Sequence, residues 1–268
     1  MVEWRRTQQR LTRGFSIQGF YVWSKSLQSE DLDTPGNTGN SAGSEPEDNR
    51  NRFLDRQRSD FDQRSLSAIS FVYKPNYSID NRLVRNVVNG WTITSIIRIQ
   101  SGLPFNITTG GDTNQDGVSS DRPNPQPGIV PHVNNNGNSR SAMQKNWVDV
   151  GQFCLYNATV TKADGTTNAA CPQQGAGPAN SDGTVRQNAL DAPGRRSIDA
   201  SLFRDFPIWE QVRFQLRGEA TNVFNLTNLP APTGTLSSGA ATFGHINGTI
   251  QGGSFSNRVI QVGARILF

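Results

Sequence analysis

Arg258-Val259-Ile260-Gln261-Val262-Gly263-Ala264-Arg265-Ile266-Leu267-Phe268 is the stretch that decides the fold. Counting back from Phe268 in twos gives Ile266, Ala264, Val262 and Ile260, an unbroken small-to-apolar face. Leu267, Arg265, Gly263 and Gln261 form the other, mostly polar face. A period of two means a strand with one oily side. As the free edge of a soluble sheet it would invite aggregation. As the closing strand of an outer-membrane barrel it fits, because apolar residues face lipid and an aromatic sits at the interface.

The same alternation recurs upstream. Val212, Phe214, Leu216, Gly218 and Ala220 alternate with Arg213, Gln215, Arg217, Glu219 and Thr221. Ile198, Ala200 and Leu202 alternate with Ser197, Asp199 and Ser201. Trp91, Ile93, Ile97 and Ile99 alternate with Thr92, Thr94, Arg98 and Gln100. Phe15, Ile17, Gly19, Tyr21 and Trp23 form one face of another strand, Phe61 to Tyr73 give a weaker one, and Val2 and Trp4 begin the first. Arg and Glu at strict period two would be ruinous in a dry sandwich core and suit a polar lumen. The expected fold is therefore all-β: an antiparallel meander of about seven strands, the C-terminal part of a large transmembrane barrel. Val212, Phe214, Leu216, Ile260, Val262 and Ile266 are expected to face lipid. Arg98, Arg195, Asp199, Arg213, Arg217, Glu219 and Arg265 are expected to face the lumen.

Loop lengths set the direction of the strands. Barrel turns are short on the periplasmic side and long on the outer side. Alternation continues through Ser101-Gly102-Leu103-Pro104 in register, since Leu103, Phe105 and Ile107 extend the Ile97/Ile99 face. Residues 89–109 then read as one kinked strand rather than a hairpin. Residues 26–60, 110–193 and 225–257 become outer connections, and 8–13, 74–89 and 207–210 inner ones. Residues 110–193 form a long extracellular loop within a single partial-barrel domain covering 1–268. Tyr73, Trp91, Phe206, Trp209 and Phe268 fall at periplasmic strand ends, as an interfacial girdle predicts.

Composition agrees. The chain has 268 residues, 34% of them hydrophobic, and a mean hydropathy of −0.56. That is low for a large dry core and tolerable for a barrel with a wet lumen. No run of about 18 apolar residues offers a membrane-spanning helix. The net charge of +4 is dispersed, so no nucleic-acid footprint appears. The opening residues form no secretory signal. That absence and an odd strand count lead us to expect a truncated chain.

Several segments resemble Oar-like TonB-dependent outer-membrane transporters. They are Tyr21-Val22-Trp23-Ser24-Lys25-Ser26-Leu27, Ser59-Asp60-Phe61-Asp62-Gln63-Arg64, Asn89-Gly90-Trp91 and Gln100-Ser101-Gly102-Leu103-Pro104-Phe105. Further matches are Asp112 to Gly117 with Asp121-Arg122-Pro123-Asn124, Asp199 to Phe206, and Arg217 to Asn225. They occur in family order and span nearly the whole chain. The resemblance implies a barrel of about 22 strands with an N-terminal plug, and TonB-powered uptake of a small-molecule or oligosaccharide cargo. It also implies that the barrel-assembly machinery reads the terminal strand, with Phe268 as its signal. This chain departs from the family in having no plug and no TonB-contacting box, so TonB would act only through a plug absent from it.

Few residues suggest chemistry of their own. Asp112-x-Asn114-x-Asp116-Gly117, with Asp121 beyond, alternates oxygen ligands before a glycine, as calcium loops do. The same pattern is a plain Asx turn, which is the preferred reading; no cofactor is expected beyond that candidate structural calcium. The lumen charges could line a path for anionic cargo, but mutual pairing is the plainer reading. Cys154 and Cys171 could close a disulfide in an oxidising compartment, or remain two thiols. His132 and His245 stand apart, and no catalytic constellation is present, so no enzyme is expected. Outer-membrane lipid is the expected partner. The rival readings are a free-standing small barrel or porin, and a secreted all-β binding module, which would cover its apolar faces with a second sheet.

Overall fold

The structure, a computed structural model, describes residues 2–11, 14–28, 56–112, 121–134, 139–155, 160–162, 164–168 and 183–268; residues 2–11 and 160 are described by backbone alone. Seven antiparallel strands form one meander: β1 (Val2–Leu11), β2 (Phe15–Ser24), β3 (Ser65–Tyr73), β4 (Trp91–Gln100), β5 (Arg195–Trp209), β6 (Val212–Thr221) and β7 (Val259–Leu267). Their order in the sheet is their order in the chain. The sheet is open, with β1 and β7 as its edges.

Antiparallel partners share a face, so the register extends the period-two pattern across the sheet. Gly19, Ile69, Ile97 and Ile198 lie in one row across four strands. Leu202, Gly218 and Val262 make another. One face thus carries Phe15, Ile17, Tyr21, Trp23, Ile69, Phe71, Ile93, Ile97, Ile99, Leu202, Phe214, Leu216, Ile260, Val262 and Ile266. No second sheet covers it among the described residues: Ile260 is 64% exposed and Val262 76%. The pattern lapses at β1, whose Glu3, Arg5 and Thr7 stand opposite Trp23, Tyr21 and Gly19. This register runs unbroken from Val2 opposite Ser24 to Leu11 opposite Phe15.

Several sequence-derived boundaries need correction. The first inner connection does not begin at Gln8, because β1 runs to Leu11. β3 begins at Ser65, not at Phe61, because Asp62 and its neighbours are drawn into a hydrogen-bonded corner described below. β5 runs through Pro207 to Trp209, a bulge absorbing Ile208, so the inner turn is Glu210-Gln211. Residues 89–109 are not one strand. β4 stops at Gln100, and Pro104–Phe105 pairs with Leu190–Asp191 instead. Gly102 allows the departure, since a Cβ there would sit 1.7 Å from the Ala192 carbonyl oxygen. The alternative hairpin is nonetheless absent, and the chain continues to the same end of the sheet.

The inner connection 74–90 holds a helix that the sequence did not suggest, α1 (Arg82–Val88). Asn81 caps it, its side-chain oxygen accepting from the Leu83 and Val84 N–H groups at 2.9 and 3.3 Å; such a cap satisfies two orphan donors.

The hydrophobic core lies outside the sheet. The outer connections between β4 and β5 and between β6 and β7 fold together around Phe105, Trp147, Val148, Phe153, Leu190, Leu236, Phe243 and Ile246. Phe153 meets Phe243 edge-on at 5.7 Å. Trp147 donates its indole N–H to the Asp191 carbonyl at 2.9 Å. Residues 110–193 are therefore no free-standing loop: within their described parts they are half of a packed outer assembly, completed by residues 229–246.

Candidate functional site

Three surfaces are built by this arrangement. The first is the bare apolar face. Val212 and Phe214 are half-buried, whereas Leu216, Ile260, Val262 and Ile266 are exposed. Aromatics edge this face at its inner end. Phe15 packs on Phe71 and Tyr73 at 6.3 and 6.2 Å, and Phe206 on Phe214 at 6.2 Å. Trp91 and Trp209 share this end with Phe268, which is 95% exposed. Tyr21 and Trp23 mark the opposite end. From Phe15 to Trp23 is about 27 Å along the strand, or roughly 20 Å of height at a barrel-like tilt near 40°.

Arg204 interrupts the apolar face, and its partners explain why. Its guanidinium lies over the Trp91 and Phe206 rings at 5.6 and 4.8 Å. It donates to the Asn86 carbonyl and, at 3.2 Å, to that of Val87. The Trp91 indole N–H reaches the same Val87 carbonyl at 2.9 Å. These donors satisfy C-terminal carbonyls of α1 and complement its dipole. Leu83, Val84, Val87 and Val88 form the apolar stripe of α1, all exposed. The helix therefore rests at the inner rim on the apolar side. Neither α1 nor its Arg204 dock was legible in the sequence, since barely two turns of helix leave too little periodicity.

The second surface is the polar face of the sheet. Arg98 and Asp199 form an ion pair. Asp199 also accepts from the Ser197 hydroxyl at 2.8 Å and the Asn222 N–H at 2.9 Å. Arg217 pairs with Glu219, which also accepts from the Gln261 amide at 2.6 Å. Thr94 and Ser201 hydroxyls meet at 2.6 Å. Four of the seven predicted lumen residues are thus brought together in pairs. Arg213 and Arg265 enter no ion pair among the described residues, and Arg195 is half-buried. A shallow cavity of about 300 Å³ lies over Asp199, Arg217, Glu219 and Gln261. The face is not uniformly polar: Phe20, Val72 and Ile96 are exposed on it at 42%, 42% and 39%. Ile96 and Val72 lie diagonally across β3 and β4, with Ile96 opposite Ser70 and Val72 opposite Thr94, while Phe20 stands apart on β2, opposite Ala68.

The third surface is the corner where the outer assembly meets β2 and β3. Asp62, 1% exposed, accepts from the Ser26 N–H at 2.7 Å and from Arg58 Nε at 2.7 Å. Arg58 also reaches Asp191 at 2.7 Å. Asn188, left-handed at φ 58°, donates to the Arg58 carbonyl at 2.9 Å and to Asp60 at 2.5 Å. Asn222 (φ 47°) clamps the other outer connection, donating to the Leu226 and Ser256 carbonyls at 2.8 Å each. This explains the Ser59 to Arg64 and Arg217 to Asn225 motifs. Their polar residues weld loops to strand ends, and asparagine tolerates the left-handed turn.

The remaining candidates fall partly out of view. Of the calcium set, Asp112 is exposed and Asp121 is 1% exposed, while Asn114 and Asp116 lie outside the described residues. Among the described residues no cluster of three metal-ligating side chains occurs. Cys154 is buried and disulfide-bonded; its expected partner, Cys171, lies outside the described residues. No described helix is long and apolar enough to cross a membrane, which says nothing of crossing by strands.

A family model described as "Outer membrane beta barrel domain" matches residues 5–261. No curated protein and no solved structure matches the chain.

Proposed function

The chain belongs to the outer membrane beta barrel domain family, and from that premise we propose that it serves as a wall of a TonB-dependent transporter in a Gram-negative-type outer membrane. The apolar face, with Val212, Phe214, Leu216, Ile260, Val262 and Ile266, lies against lipid. The face bearing Arg98, Arg195, Asp199, Arg213, Arg217, Glu219 and Arg265 lines the lumen, and the outer assembly meets cargo. The observation that carries the reading beyond a plain pore is the exposure of Phe20, Val72 and Ile96 on the polar face. A water-filled channel gains nothing from exposed aromatic and branched side chains. A plug domain seated in the lumen would cover them. An open sheet whose edges do not meet also fits a sector of a barrel wider than seven strands.

Planar-bilayer recording of the refolded chain tests this. A plug-filled transporter wall is expected to give no stable unitary conductance by itself. Steady, uniform conductance steps would favour a free-standing small barrel and overturn the proposal.

A further inference from the structure

At the corner between Lys25, the Arg56–Arg64 segment and Arg186 lies a cavity of about 600 Å³. Lys25, Arg56, Arg58, Arg64 and Arg186 all line it. Arg58 is neutralised by Asp62 and Asp191, each at 2.7 Å, and Arg64 reaches Asp191 only at 3.8 Å. Lys25, Arg56 and Arg186 enter no ion pair with any described residue. They come from three separate segments, so the fold, not a run of basic sequence, brings their charges together. Like charges gathered at one cavity repel, and an anion among them would relieve that repulsion. A second observation points the same way. Gln57 lines this cavity and is 3% exposed, yet neither its amide nitrogen nor its amide oxygen has a hydrogen-bond partner. Buried side-chain amides are nearly always satisfied, and an orphan marks a missing partner. An amide both donates and accepts, so it suits a ligand with a hydroxyl beside its anionic group.

We propose that this cavity binds a phosphate monoester that carries a neighbouring hydroxyl. Two arginines and a lysine match a dianion better than a single carboxylate, because guanidinium forks bind phosphate oxygens bidentately. The volume exceeds what bare phosphate requires and falls in the range of small-molecule sites. The phosphate could belong to a soluble solute or to a lipid headgroup, and the chemistry is shared. The site lies where the outer assembly meets the ends of β2 and β3, and needs no plug. It can therefore bind whether or not the chain serves a transporter, and the conductance result leaves it untouched.

The test uses the full chain in zwitterionic detergent micelles, by calorimetric titration at low and moderate salt. The probes are glycerol 3-phosphate, inorganic phosphate, glycerol, and a short-chain lysophosphatidic acid, which keeps a free hydroxyl beside its phosphate. Saturable binding of glycerol 3-phosphate, or of the lysophosphatidic acid, with none of glycerol, is expected and identifies the source. Arg56→Gln with Arg186→Gln should weaken that binding at least tenfold and flatten its salt dependence. Gln57→Leu should weaken glycerol 3-phosphate more than inorganic phosphate. Both arginines are exposed, so the double variant should keep the wild-type circular dichroism. No binding of either phosphate monoester, or binding unchanged in the double variant, overturns the proposal.

Discussion

Val262→Arg separates a lipid-facing sheet from one bathed in water. Val262 is 76% exposed and stands opposite Gly218, so an arginine there meets no steric obstacle. In water, such a surface change moves stability by about 0.5 kcal/mol or less. In a bilayer the cost depends on depth. Val262 is three residues into β7, hence about 10 Å along the strand. At a tilt near 40° that is roughly 8 Å below the outer end of the strand, some 5 Å from the middle of a ~25 Å apolar band. Arginine on the lipid face near the midplane costs about 2–4 kcal/mol, so we expect about 2–3 kcal/mol. Gly263→Arg is the control: it is adjacent but on the polar face, and a Cβ there meets nothing within 4 Å. The two variants should differ by about 2 kcal/mol, some thirtyfold in the folding equilibrium. Denaturant titration of the chain refolded into phosphatidylcholine vesicles, followed by tryptophan fluorescence and gel mobility, reads the difference. Equal unfolding midpoints for the two variants would refute the lipid-facing assignment.

Other substitutions probe the remaining parts. Phe153→Ala removes a fully buried ring packed on Phe243 and should cost about 3–5 kcal/mol. Limited proteolysis should then cut the outer assembly while strand circular dichroism persists. Arg98→Met leaves Asp199 with only Ser197 and Asn222 for partners and should cost about 2 kcal/mol. Adding Asp199→Asn should recover part of the loss, read as a coupling in a double-mutant cycle. Gly102→Ala should destabilise far more than Gly194→Ala, because its Cβ would lie 1.7 Å from a carbonyl oxygen against 3.0 Å; comparative thermal unfolding checks it. Arg204→Ala should free the last carbonyls of α1 and speed amide exchange in residues 85–91, with protection of β6 and β7 unchanged.

The strands were legible because their signal is local. Each residue of β6 or β7 declares its face by its own polarity, and register multiplies that declaration across neighbours. Strand ends were less legible. Gln100 and Ser65 end where side chains such as Asp62 and the close approach at Gly102 redirect the backbone, and these partners are remote in sequence. Helix α1 was missed because seven residues, Arg82 to Val88, give barely two turns. The pairing of Arg98 with Asp199 and of Arg217 with Glu219 was weighed in the sequence only as a general tendency.

Local pattern alone makes this an all-β, two-faced antiparallel meander, with one apolar face and its aromatics gathered at strand ends. Alternation is a one-dimensional property, and seven strands in chain order add no long-range choice to it. Packing in three dimensions sets where the core lies. Phe105, Trp147, Phe153, Leu190 and Phe243 carry no common period, so nothing in the chain announced that they pack together outside the sheet. It also brings Lys25, Arg56 and Arg186 to one cavity. Convergence of residues 31 and 130 positions apart is a matter of packing, which single-sequence pattern cannot express.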